Sequence, residues 1–166
     1  MLVVFGGLPG TGKTTISRAI AARQSATYLR IDEIEQAIRS AGILSADVGP
    51  AGYVVANALA ASNLKIGGLV IADCVNPVQE SRQGWRKAAA HAQRPLLEVE
   101  VICSDPVQHR RRVEERESDI DSLALPTWQS VLAHEYSPWT DPHLVVDTAI
   151  LAPHEAIRLV EQHMNL

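Results

Sequence analysis

The chain has 166 residues, 46% of them hydrophobic and 20% charged, with a formal net charge of −4. These values predict one globular domain over residues 1–166, long enough to bury a three-layer core. They exclude a global field that draws the chain to nucleic acid or an anionic membrane, and no apolar run approaches the roughly 20 residues of a membrane span. Cys74 and Cys103 stand in apolar runs and are expected as buried thiols of a reducing compartment. The apolar opening before Gly6 is too short for a secretory leader, so a cytoplasmic location is expected.

Taken in order, Leu2-Val3-Val4-Phe5 reads as a buried strand over about 2–6. The next stretch, Gly7-Leu8-Pro9-Gly10-Thr11-Gly12-Lys13-Thr14, fits the phosphate-binding pattern G-x-x-x-x-G-K-[ST]. Its glycines tolerate the positive φ that lets amides wrap a phosphate chain. Lys13 supplies a compact charge for the outer phosphates, and the Thr14 hydroxyl is a ligand for Mg²⁺. After Thr14 and Thr15, the spacing of Ile16, Ala19, Ile20 and Arg23 predicts a helix to about Gln24, with its N-terminus facing the anion.

A second strand is expected at Thr27–Ile31, ending in Asp32-Glu33-Ile34-Glu35, which opens a helix to about Ser40. Gly42 and the stretch Ser45–Pro50 predict a polar loop. The helix expected over Tyr53–Lys65 is apolar on most sides, which suggests packing between other elements. Leu69–Ala72 is a strand ending at Asp73, and Asn76-Pro77 is expected to start a helix to about Gln93. In Leu96–Cys103, Glu98 and Glu100 alternate with apolar residues and suggest a wet strand face. Ser104-Asp105-Pro106 is a helix start followed by the densest charge of the chain, His109 to Glu117. Pro126 opens a short helix with Trp128, Leu144–Asp147 is the fifth strand, and Pro153 starts a helix to about His163. Strands alternating with helices predict an α/β fold, a parallel sheet covered on both faces.

Strand carboxyl ends point to the ligand crevice of such a sheet. Asp73, at the end of the third strand, is placed to hold Mg²⁺ with Thr14. The following residue is Cys74 rather than an acid, which favours transfer to an acceptor over hydrolysis. Asp32 has two readings: a helix cap in a D-x-x-E box, or the base that takes a proton from an attacking hydroxyl. Arg112 and Arg116, four apart, are either part of a solvated helix with Arg112 against Glu115, or a mobile clamp over moving charge in a lid of about 110–125. Asn76 is a cap or an acceptor contact; Arg82, Trp85 and Arg86 are a helix face of core or of acceptor pocket. The six histidines show no metal-site spacing, and no N-K-x-D guanine signature occurs.

The segments GLPGTGKTT, YLRIDEIEQAI, GLVIADCVNP, WRKAA, VICSDPVQHRRRVEER and HLVVDTA resemble, over nearly the whole chain, small P-loop kinases grouped with AAA-family ATPases. The layout is similar to chloramphenicol phosphotransferase, the kinase domain of polynucleotide kinase, zeta-toxin kinases and gluconate or shikimate kinases. The resemblance implies a five-stranded parallel sheet in the order 2-3-1-4-5, ATP and Mg²⁺ as cofactors, and adenine between the lid helix and Thr148. It also implies Asp32 as base and Arg112 with Arg116 as lid arginines. The expected activity is ATP-dependent phosphorylation of a small-molecule hydroxyl. The alternatives are a 5′-hydroxyl polynucleotide kinase, which the acidic balance disfavours, and a nucleotide-sensing module. Acceptor and oligomeric state are not legible.

Overall fold

The computed structural model describes residues 1–42 and 47–164. Ser45 and Ala46 of the expected polar loop lie outside the described residues. The strands are β1 Leu2–Gly6, β2 Thr27–Arg30, β3 Val70–Asp73, β4 Leu96–Ile102 and β5 Leu144–Asp147. The helices are α1 Lys13–Arg23, α2 Ile31–Ser40, α3 Ala51–Lys65, α4 Gln79–His91, α5 Pro106–Glu114, α6 Trp128–Leu132 and α7 Pro153–His163. The sheet runs β2-β3-β1-β4-β5, and every pairing is parallel.

β1 is central, and Leu2 to Phe5 are fully buried. Its side chains alternate between two cores, as a strand's period of two requires. Val3 and Phe5 meet Ile16 and Ile20 of α1 and Ala156, Ile157 and Val160 of α7. Leu2 and Val4 face Ala56, Ala60 and Leu64 of α3, with Trp85 and Ala89 of α4. Burial of each such aliphatic or aromatic side chain contributes about 1.5–3 kcal/mol. The result is a three-layer α/β fold in which β1 delivers the phosphate-binding loop to the middle of the sheet's carboxyl edge. Among the described residues no helix is long and apolar enough to cross a membrane.

Several local expectations change. α3 is not enclosed: Val54, Val55 and Leu59 face outward, beside exposed Ile66. Small Ala56 and Ala60 let the helix approach the sheet closely, with Leu64 the bulky member of the buried stripe, and Val54, Val55 and Leu59 are left outside. Nor does β4 have a wet face. Glu98 accepts from Arg86 Nε at 2.9 Å, while Glu100 accepts from the Tyr136 hydroxyl at 3.1 Å and lies 3.2 Å from His143 Nε2. α4 starts at Gln79 after Val78, so Asn76 does not cap it. Cys74 is buried, but Cys103 is only half-buried beside α5.

Candidate active site

Between β1 and α1 the chain turns through Gly7, Gly10 and Gly12, all at positive φ. At Gly7 (φ 141°) a Cβ would stand 2.2 Å from the Val101 carbonyl oxygen, and at Gly10 (φ 84°) 2.5 Å from Val113 Cγ2. Backbone geometry and close packing thus both demand glycine there. Leu8 and Pro9 form the outer bend, and the Thr11 hydroxyl donates to the Leu8 carbonyl at 2.9 Å. Gly12 lies at the N-cap of α1 without a capping side chain. The first-turn amides at Lys13, Thr14 and Thr15 therefore open toward solvent, as helix geometry leaves them. Lys13 is buried, and its ammonium makes no hydrogen bond among the described residues.

α5 is fastened to this loop instead of standing free. Asp105 caps it, accepting from the amides of Val107 and Gln108. His109 Nε2 donates to the Pro9 carbonyl at 2.8 Å, with its ring edge-on to Trp128. Arg112 Nη1 donates to Thr148 Oγ1 at 2.7 Å and Nη2 to the Thr148 carbonyl at 3.0 Å. The Thr148 hydroxyl in turn reaches the Thr11 carbonyl at 2.7 Å. Arg112 is therefore not paired with Glu115; the ion pair on this helix is Arg110 with Glu114 at 2.8 Å. Arg116 lies past the end of α5 and lines the same cleft as Arg112. That cleft, of about 790 Å³, also takes in Lys13, Thr14, Arg30, Asp119 and Thr148.

On the other side of the loop, Asp73 is neither a cap nor a solvent-facing acid. It is 2% exposed, and its Oδ2 accepts the Tyr28 hydroxyl at 2.7 Å. Burial and the nearby Asp73 charge push the Tyr28 phenol well above its usual range, so it remains a donor. Asp73 Oδ1 makes no hydrogen bond among the described residues, and a carboxylate oxygen of this kind and a hydroxyl such as that of Thr14 are the hard donors that Mg²⁺ takes. Arg30, also 2% exposed, places Nε 4.0 Å from Asp73 Oδ2 and grips Asp119 through Nη1 and Nη2 at 2.8 and 2.9 Å. Burial opposes the charge on Arg30, but its hydrogen bond and charge interactions with Asp119 and the charge of Asp73 outweigh this and raise its pKa.

Asp32 sits in the first turn of α2, where the N-cap is Arg30 and no side chain caps. The cap reading thus loses its basis, and the half-buried carboxylate makes no hydrogen bond among the described residues. Asp32 stands close enough to raise the pKa of Glu35 and Tyr53, although burial is the larger cause for both. Arg82, Trp85 and Arg86 are not among the residues that line the cleft. Trp85 is core; Arg82 is 1% exposed and donates to the carbonyls of Asn76, Pro77, Ser137 and Pro138. Arg86 is taken by Glu98 and Asp141. Asn76 has φ 55°, and its buried side-chain amide has no hydrogen-bond partner among the described residues.

The AAA domain family matches residues 2–134, which covers the loop, Asp32, Asp73 and the α5 arginines together. The chain belongs to that family. Three curated relatives, uncharacterized proteins of Mycobacterium bovis and Mycobacterium tuberculosis strains, are 26% identical to this AAA domain over 160 residues. They match 89% of the chain, which spans about a third (32%) of their length. Among solved structures, the Mycobacterium tuberculosis APS kinase CysC in complex with AMPPNP and APS has a TM-score of 0.72 at 21% identity, covering 99% of this chain and 97% of that one. A sugar kinase from Janibacter gives 0.71 at 20%, covering 99% and 94%. Chaetomium thermophilum Kti12 in complex with ADP-AlF3 gives 0.65 at 20%, covering 99% and 98%. At these identities the likeness is one of fold, a P-loop kinase fold with the strand order 2-3-1-4-5.

Sequence reasoning missed Tyr28, Arg30, Asp119 and Arg18, whose guanidinium meets Asp119 at 2.6 Å. One signal was available: Tyr28 and Arg30 alternate with Leu29 in β2, and polar side chains on a strand face turned toward α1 need partners there.

Proposed function

We propose that this AAA domain is an ATP-dependent phosphotransferase acting on a hydroxyl group of a small molecule. The observation that carries the reading is a positive-φ phosphate loop opening, with Lys13 and Thr14, into one cleft shared with Arg112, Arg116 and Thr148. The loop amides of Gly10 and Gly12 and the first-turn amides of Lys13, Thr14 and Thr15, with the Lys13 ammonium, bind the β- and γ-phosphates. Arg112 and Thr148 border the nucleoside side, and Arg116, which lines the same cleft, would stabilise the transferring charge. Thr14 and Asp73 would hold Mg²⁺. When bound, that ion neutralises charge on the phosphate oxygens. Asp32, free of capping duty, accepts the proton of the acceptor hydroxyl as its oxygen attacks the γ-phosphorus and ADP leaves.

The experiment is an ATP-consumption screen over hydroxylated metabolites, antibiotics and a 5′-hydroxyl oligonucleotide, with product mass measured. A small-molecule product gaining one phosphoryl group supports the reading. Phosphorylation of the oligonucleotide alone shifts it to a polynucleotide kinase, and tight ATP binding without any product favours a sensing module. For Asp32→Asn, turnover falls by roughly 10²–10⁴ with ADP affinity retained. Unchanged turnover removes Asp32 from the chemistry.

A further inference from the structure

Arg30 has no role in the mechanism above, yet it lines the same cleft as Lys13 and Thr14. Its fork is not spent inside the core. Nη1 and Nη2 hold the two carboxylate oxygens of Asp119 at 2.8 and 2.9 Å, on a loop residue whose side chain is 40% exposed. Arg18 reaches the same carboxylate at 2.6 Å. Nε is buried without a hydrogen-bond partner among the described residues, 4.0 Å from Asp73 Oδ2. A guanidinium serving only to neutralise Asp73 would turn its paired donors inward. Here only Nε points that way, and the bidentate edge faces Asp119, which itself lines the cleft. The planar fork that fits a carboxylate fits two oxygens of a phosphoryl group equally.

Topology says which phosphoryl group. Thr148, with Arg112 on it, follows β5 at one edge of the sheet, and Arg30 ends β2 at the other. The phosphate loop follows β1 in the middle, and β3 with Asp73 lies between it and β2. A nucleotide with its nucleoside beside Thr148 sends its polyphosphate across the loop toward Asp73 and Arg30. We propose that Arg30 is a further phosphate-binding residue, taking the terminal phosphoryl oxygens of a nucleoside triphosphate, and that the Asp119 carboxylate is its built-in rival for that guanidinium. The inference rests on the nucleotide reading of the cleft and deepens it: the site tells triphosphate from diphosphate by exchanging one anion for another.

The test is calorimetric titration of the full chain with Mg·ADP and Mg·AMPPNP. Arg30→Gln is expected to keep ADP affinity within about twofold and to lose at least about tenfold for AMPPNP, a difference of about 1.4 kcal/mol. Asp119→Asn, a change at a half-exposed position, is expected to tighten AMPPNP several-fold and leave ADP unchanged. Equal losses for both nucleotides in Arg30→Gln, no loss for either, or weaker AMPPNP binding in Asp119→Asn overturns the proposal while the nucleotide reading stands. Failure of the unaltered protein to bind ADP overturns both. Should Arg30→Gln not fold, the sign of the Asp119→Asn effect decides alone.

Discussion

Arg112 and Thr148 form one joint, with the guanidinium bonded to both the hydroxyl (2.7 Å) and the carbonyl (3.0 Å) of the threonine. Because the same hydroxyl donates to the Thr11 carbonyl, the joint ties α5 and the end of β5 to the phosphate loop. Thr148→Val removes the hydroxyl and keeps the shape. Loss of a part-buried hydrogen-bond relay of this kind costs about 1–3 kcal/mol. A lower denaturation midpoint together with weaker ADP binding is expected. A drop in stability with unchanged ADP affinity would make the joint purely structural.

Gly10→Ala introduces a Cβ 2.5 Å from Val113 Cγ2 at φ 84°. The left-handed backbone alone costs a side-chain-bearing residue about 1–2 kcal/mol. The clash adds to this, so α5 must lift from the loop. The variant is expected to fold with a lowered midpoint and to lose ADP binding by calorimetry. Normal binding would show that the loop does not need the contact with α5.

Arg82 is a buried cation served by carbonyls, with Trp139 4.4 Å and Tyr136 5.6 Å from its guanidinium carbon. Arg82→Met fills the space but strands up to four acceptors, which at about 1–3 kcal/mol per unpaired group predicts a loss of at least about 3 kcal/mol. Urea denaturation reads this directly; a loss under about 1 kcal/mol, the level of one ordinary hydrogen bond, would show that the loop over 136–139 repairs itself.

The Asp119 carboxyl is held below the usual carboxylate range, first by its hydrogen bond from Arg30, with Arg18 adding and burial opposing. The groups that face it are Arg18 of α1 and Arg30 of β2, with Glu33 of α2 close to both arginines. A carboxyl depressed in the folded state stabilises above its unfolded pKa of about 3.9 and loses that contribution as pH falls through the folded value. The clasp is thus expected intact at pH 5 and lost only under stronger acid. Carbon-13 titration of the Asp119 carboxyl should give a midpoint below 3.9, moving up in Arg30→Gln. A midpoint at or above that value would mean that the clasp is not formed in solution.

Local chemistry made much of this legible. The phosphate loop was readable because three glycines, a lysine and a threonine at fixed spacing have few other uses, and the strands because short apolar runs alternate with helical periods. The strand order came from resemblance, since pairing between distant strands leaves no local mark. Asp32 remained ambiguous because D-x-x-E serves a cap as well as a base; only the backbone at Arg30 removes the cap. Arg30, Asp119 and Tyr28 were hidden for another reason. Their contacts join residues 45 and 89 positions apart, and neither partner is unusual by itself. Glu98 and Glu100 were misread as wet because alternation shows which side chains share a face, whereas covering by Arg86, Tyr136 and His143 is a tertiary event.

The central claim is that the loop from Gly7 to Thr15 binds nucleotide phosphates with Lys13 as its cation. Calorimetric titration of Mg·ATP into the unaltered chain and into Lys13→Ala tests it most directly. Saturable one-to-one binding, weakened at least about tenfold (about 1.4 kcal/mol) by the substitution, is the predicted result. No binding to the unaltered chain, or equal binding to both, would contradict it.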